Sequence, residues 1–333
     1  MSLFTTELRR LFKRRLTRIT LVLVTLLLAV MAAFTAATSQ APTAAGRAAA
    51  EAEARPMYEQ ALRDHERMVA ECEAAQAAGE NTDEMYPPDC GREYTPELAW
   101  YINEPYSFDF YSEGPARLMM LGLLLMLSMV LIGASFVGAE WTSGGMMNLL
   151  LWQPRRRKVL LTKLAALLAG TLGVTVVLGA LSTLAYWLVA EYRGELGPMT
   201  AGAWTSYGLS GLRTVGLVLA VAAAAFGLAS LGRHTAMALG VLAGVFVLSE
   251  AVLQPLLFAI DATFPERFSL AAHLNAWFSR EVTLYDFPPC ASSGACEPVE
   301  FLLTWQHAGL VFAVGAALAL VAAFWSMSRR DVA

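Results

Sequence analysis

From Ile19 to Phe34 the chain reads ITLVLVTLLLAVMAAF. Sixteen residues pass without a charge and without a polar face. A helix buried in a soluble core keeps one polar side, so this pattern leaves a lipid bilayer as the natural solvent. The same pattern recurs. Apolar runs occupy about 19–38, 116–138, 159–189, 211–231, 236–260 and 307–327, and a span takes roughly 20 residues. Only 16% of the 333 residues are charged, against about 25% in an average globular chain. The expected fold class is therefore an all-α polytopic membrane protein with six spans. The first run also resembles a signal peptide, since cations precede it and Thr38–Ala41 (TSQA) follows it. It exceeds the usual apolar core of about 7–15 residues, so it is expected to stay as the first span.

Cations near span ends set orientation. Residues 1–18 carry Arg9, Arg10, Lys13, Arg14, Arg15 and Arg18. The loop 139–158 carries Arg155, Arg156, Arg157 and Lys158; Arg233 follows the fourth span, and Arg329 and Arg330 lie in the tail 328–333. With six spans these segments share one side, which the rule assigns to the cytoplasm together with both termini. Leu3, Phe4, Leu8, Leu11 and Phe12 recur at helical spacing opposite cations, so 1–18 reads as an amphipathic interfacial helix. A plain orientation signal explains the same cations.

The other loops face outward. Residues 39–115 open with an Ala- and Glu-rich stretch, Ala48–Glu80, that reads as soluble helix. They continue through a Pro- and aromatic-rich stretch holding Trp100, Tyr101, Phe108, Phe110 and Tyr111. So many rings argue for an ordered small cap with some rings at the membrane interface. The last outer loop is 261–306, where Phe268–Phe278 (FSLAAHLNAWF) has the length of a re-entrant helix. All four cysteines lie outside: Cys72, Cys90, Cys290 and Cys296. Even numbers in an oxidising compartment suggest disulfides. Three pairings are possible, and the shorter rings favour Cys72–Cys90 and Cys290–Cys296. No histidine stands at ligand spacing from either pair, so no metal site is expected.

Ionisable residues inside apolar runs are costly and face a cavity or partner. Glu250 is the clearest case, followed by Pro255, which frees a backbone carbonyl and favours a bend. The two are candidates for an outer gate; a carboxylate reaching the interface, or satisfied by Ser249 or Gln254, is the alternative. Lys163 is expected to snorkel from the third span. Arg213 and Arg233 bracket the fourth span as anchors, His234 reads as a turn residue and His307 as interfacial. Small residues in Leu217–Gly232, and Gly170, Gly173 and Gly179 in the third span, permit close helix approach, either within the chain or between copies.

One connection is unusual. GASFVGAEWTSGGMMNLLLWQPRRRK, Gly133–Lys158, places a lone glutamate, a glycine pair, a short apolar stretch, a proline and four cations between two spans. Anionic headgroups account for the cations but not for Glu140, which gains from capping the following short helix or from a basic protein partner. These residues resemble the ABC-2-type transporter permeases. That family carries Glu, a Gly-containing turn, a Leu pair, Pro, Arg and then Lys at this place, read here as Glu140, Gly144 or Gly145, Leu149 and Leu150, Pro154, Arg156 and Lys163. The six spans and basic N-terminal helix agree with the resemblance. Trp141 stands where a charged residue is common, and the first outer loop is longer than usual.

The resemblance implies the membrane permease of an ABC exporter of drugs, lipids, peptides or ions. It implies a multi-pass protein of the bacterial cytoplasmic membrane, paired with a second copy or a paralogue. The 139–158 loop would act as the coupling helix on a cytoplasmic ATP-binding cassette ATPase dimer, and the N-terminal helix would touch that ATPase as well. No G-x-x-x-x-G-K-[ST] run occurs, so ATP and Mg belong to the ATPase chain and no cofactor is expected here. The chain itself is expected to be no enzyme. An intramembrane protease needs a serine and a histidine on facing spans; Ser135 lacks the usual G-x-S-G setting, and no histidine lies at mid-span. A non-transporting membrane sensor or scaffold using the outer loop is the alternative function.

Overall fold

The computed structural model describes residues 3–79, 86–152, 155–286 and 298–329. The chain divides into two compact units. One comprises residues 1–33, 111–186 and 198–333, and the other residues 34–110 and 187–197.

Six helices are long and apolar enough to cross a membrane: Arg15–Thr38, Phe110–Thr142, Arg156–Arg193, Ala201–Gly232, Thr235–Ala259 and Trp305–Arg329. We label the elements in chain order. Helix α1 is Leu3–Lys13, α2 Arg15–Thr38, α3 Ala44–Ala77, α4 Phe110–Thr142, α5 Gly145–Trp152, α6 Arg156–Arg193 and α7 Ala201–Gly232. Helix α8 is Thr235–Val247, α9 Gln254–Ala259, α10 Leu270–Ser279 and α11 Trp305–Arg329. Strands β1, Glu281–Asp286, and β2, Val299–Thr304, pair antiparallel with Glu281 opposite Thr304. The spans are helical as expected, and this hairpin is the one strand pair among the described residues. EVTLYD and VEFLLT are rich in β-branched and aromatic residues, which suit a pleated surface.

In the larger unit, the second and fourth spans form the centre. Within their most apolar windows 61% and 56% of the residues are buried, against 11% in the first and fifth spans. The exposed apolar side chains of α2, such as Val22, Leu23 and Leu26, suit lipid, where apolar surface gains nothing from being covered. Packing then depends on fit and on small residues. A Cβ added to Gly227 would lie 2.8 Å from the Ala319 carbonyl carbon, so the small-residue stretch of α7 serves a close approach to α11 within the chain.

The smaller unit is built on α3, which Thr43 caps by accepting a hydrogen bond from the Gly46 amide at 3.0 Å. Cys72 and Cys90 form the expected disulfide, with Cα atoms 5.6 Å apart, and Tyr58 packs on Tyr101 with ring centroids 6.2 Å apart. Of the five aromatics expected to order this region, Phe108 and Phe110 are buried, whereas Trp100 is 61% exposed. The expected Cys290–Cys296 pair lies outside the described residues.

The fifth span holds a π-helical turn, Leu248–Leu253, between α8 and α9. The irregularity therefore sits just ahead of Pro255, which occupies the first turn of α9, where its missing amide costs nothing.

Candidate functional site

The glutamate that seemed isolated in the sequence is held by two cations, one from the bend between α1 and α2 and one from α6. Glu140, near the C-terminal end of α4, accepts from Arg14 Nη2 at 2.5 Å through Oε1. Its Oε2 lies 2.6 Å from Lys163 Nζ on α6. Lys163 also reaches Glu7 Oε2 on α1 at 2.6 Å, and Glu7 Oε1 takes Arg10 Nη1 at 3.0 Å. The order is Arg10, Glu7, Lys163, Glu140, Arg14, with charges alternating and all four carboxylate oxygens used. Arg14 Nη1 further donates to the Ser135 carbonyl at 2.7 Å. Phe136 closes the cluster, its ring centroid 5.0 Å from Arg14 Cζ and 5.2 Å from Lys163 Nζ.

Burial decides what this cluster does. Glu7 and Lys163 are 0% exposed, and the Glu140 side chain 14%. Lys163 thus corrects the snorkelling expectation: its ammonium points inward to two carboxylates. At such depth a charge persists only if paired and hydrogen-bonded, and low dielectric strengthens the pairing. Leu11 is also buried, and a Cβ on Gly170 would lie 2.6 Å from Leu11 Cδ2. So α1 seats apolar and ionic groups together against α6.

The remainder of the connection follows outward from this anchor. Gly144 adopts φ +72, a left-handed turn that glycine enters without strain, and Gly145 then starts α5. Met146 is buried, Leu149 packs partly on the core, and Leu151 is 82% exposed. Arg155, Arg157 and Lys158 are exposed, and Arg156 is half-buried. The Leu150 side chain and Pro154 lie outside what the structure describes. Trp141, the departure from the family pattern, carries Arg233 over its ring, with Cζ 4.7 Å from the centroid. Arg233 is the left-handed cap of α7, and His234 caps α8 by accepting from the Ala236 amide at 3.1 Å.

A second cluster surrounds Glu250 on the π turn. Its Oε1 accepts from the Ala271 amide at 3.1 Å, and its Oε2 from Ser269 Oγ at 2.9 Å. Ser249 Oγ lies 3.0 Å from Glu250 Oε1 and 3.1 Å from the Phe268 carbonyl, and accepts from the Leu270 amide at 3.0 Å. Gln254 Nε2 donates to the Pro265 carbonyl at 2.9 Å. The fifth span therefore grips the segment 265–271 by three side chains, and a carboxylate sits on the free amides opening α10. Pro255 makes no part of this grip. Helix α10 covers the stretch expected to be re-entrant. Its Trp277 donates to the Arg213 carbonyl at 3.0 Å and packs edge-on to Trp305 with centroids 6.0 Å apart. Arg213 is inside α7 rather than at its border, because that helix starts ten residues earlier than the expected span. Among the described residues, no group of three or more His, Cys, Asp and Glu could hold a metal ion.

Glu7 was missed as a functional residue, although the sequence signals it. It stands four residues from both Leu3 and Leu11, in the middle of the apolar face, where a lone acid needs a buried cation.

Six helices apolar and long enough to cross a membrane, a basic helix ahead of the first and an ionic anchor at the second-to-third connection mark a multi-pass membrane protein. The family model for ABC-2 family transporter protein matches residues 1–332, and the chain belongs to that family. It is a membrane permease of an ABC transporter, a transport component and not itself the catalyst. Neither a curated protein nor a solved structure matches the chain.

Proposed function

We propose that this chain is the permease of an ABC exporter in the bacterial cytoplasmic membrane. It pairs with a second permease and is driven by a separate ATPase dimer that binds ATP and Mg. The ATPase docks on 139–158 from the cytoplasmic side. The observation that carries this reading is the Glu7–Lys163–Glu140–Arg14 ion chain, buried at Glu7 and Lys163, which ties α1, the end of α4 and the start of α6 together. A push on α5 is thereby passed to two spans at once instead of being absorbed by a loose loop. Within the docking segment the roles divide. Glu140 works from inside, as the anchor. Gly144 and Gly145 set the turn. Exposed Leu151 and Met147 offer the apolar surface, Leu149 packs behind them, and Arg156 opens α6; Leu150 and Pro154 belong to the same expected docking stretch of the sequence. At the other end, Glu250 holds α10 as a gate element, with Pro255 opening the last turn of the span.

The test is pull-down of the ATPase subunit and its stimulated activity in membranes. Scrambling Met146–Leu151 is expected to abolish both. Glu140→Ala is expected to keep docking and to reduce stimulation, because the surface survives while its link to the spans is lost. If both variants bind and stimulate like wild type, the loop is only a membrane anchor and the coupling reading fails.

A further inference from the structure

Two arginines meet on one face of α7, ahead of and just inside its apolar stretch. Arg213 Nη2 donates to Ser210 Oγ at 2.8 Å, and Arg280 Nη2, from the end of α10, donates to Ser206 Oγ. Ser206 and Ser210 are four residues apart, so their Cβ atoms stand about 5–6 Å from each other. The two positive charges are close enough to repel. Among the described residues neither forms an ion pair with a carboxylate. Arg213 Nε is buried and has no hydrogen-bond partner, a costly state for a charged donor. Arg280 is exposed and holds φ +77, a conformation that a residue with a Cβ rarely adopts. Its carbonyl accepts from the Trp305 amide at 2.7 Å, which fixes it there. Arg213 Cζ also lies 6.0 Å from the centroid of the Trp305 ring.

We propose that Arg213 and Arg280 together hold a phosphate group, carried by an anionic phospholipid or by a soluble phosphate ester. Two like charges brought together by neutral hydroxyls oppose the fold until an anion joins them. A phosphate has enough oxygens to meet both guanidiniums at once, and their planar forks match its geometry. The depth suits a headgroup. The apolar stretch of α7 begins at about 211, and Trp277 and Trp305 beside the pair are of the residue type that gathers at the membrane interface. The inference rests on the membrane embedding of the chain and not on the export reading.

The experiment is native mass spectrometry of the full chain, purified in detergent and titrated with phosphatidylglycerol, phosphatidylcholine or glycerol 3-phosphate. Wild type is expected to retain phosphatidylglycerol at levels where phosphatidylcholine has been lost. Arg280→Gln is expected to weaken that retention about fivefold, and Arg213→Gln with Arg280→Gln by on the order of tenfold or more. Because Arg280 is exposed, the thermal midpoint of Arg280→Gln should stay that of wild type, which separates lost binding from lost folding. Displacement of phosphatidylglycerol by glycerol 3-phosphate assigns the phosphate to a soluble ester; retention against it assigns the phosphate to the lipid. Equal loss of the two lipids from wild type, with no binding of glycerol 3-phosphate, overturns the proposal. So does phosphatidylglycerol undiminished in both variants, or an equal loss from Arg155→Gln with Arg157→Gln, which removes as much charge elsewhere. A thermal midpoint that falls in Arg280→Gln along with the binding makes the arginine structural and refutes the site.

Discussion

Glu140 and Glu250 pose the same problem in sequence, a single acid within apolar helix, and the fold solves it in two ways. Glu140 is neutralised by full charges, one from Arg14 in the bend between α1 and α2 and one from Lys163 on α6. Glu250 is satisfied by hydroxyls and by an amide at the start of α10, without a cation. The first solution fuses three helices, because removing Lys163 or Glu7 leaves the other's charge without that partner at full burial. The second fixes one helix start to one turn, and its partners are neutral, so losing it leaves ordinary polar groups behind. One is built as a joint that should not open. The other is built as a contact that can be made and broken.

This contrast can be broken most directly at Lys163. Lys163→Met leaves Glu7 without its lysine partner at full burial, and breaking a buried pair this way costs about 3–5 kcal/mol. The thermal midpoint of the detergent-solubilised chain should fall sharply. Adding Glu7→Leu should recover much of the loss, since an apolar pair of similar volume is often tolerated. A Lys163→Met chain as stable as wild type would show that the joint is not ionic.

Glu140→Ala is expected to be milder, on the order of 1.5–3 kcal/mol, because Lys163 keeps Glu7 and Arg14 keeps the Ser135 carbonyl. The same thermal measurement ranks it; an effect larger than that of Lys163→Met would reverse the order argued here. Glu250→Ala should cost about 0.5–2 kcal/mol, the usual loss for removing an acceptor at a helix start. Glu250→Gln should cost less, as the amide oxygen still accepts one bond. For this pair the informative comparison is stability against transport. Transport altered by Glu250→Gln with the thermal midpoint nearly constant marks a working contact. Transport unchanged in both variants marks a passive cap.

How much of this was legible beforehand follows from the physics of each signal. The six apolar helices and the basic segments are properties of composition over long windows, so they survive without knowledge of packing. Cys72–Cys90 could be favoured because ring size alone ranks pairings. The direction of a side chain is another matter. The charge of Glu140 was evident, but whether it faced a partner protein or Lys163, 23 residues on, depends on how α4 and α6 lie together. Lys163 was read as snorkelling because long lysines near span ends usually can; nothing local announces that Glu7 waits for it. The β1–β2 hairpin is not legible in advance although VEFLLT carries β-branched and aromatic residues, because apolar runs this short do not separate strand from helix.

The π turn at Leu248–Leu253 has a consequence of its own. A helix advances about 100° per residue, and a π turn is one residue too many for its place. Everything beyond it, Gln254 and Pro255 included, is rotated by roughly that angle from where a regular α-helix would put it. The alignment of Gln254 with the Pro265 carbonyl is thus a matter of counting as much as of chemistry. Loss of a single codon in that turn would remove the extra residue and let a regular α-helix aim Gln254 as before, whereas loss of a second would rotate it by about 100° toward the wrong neighbours.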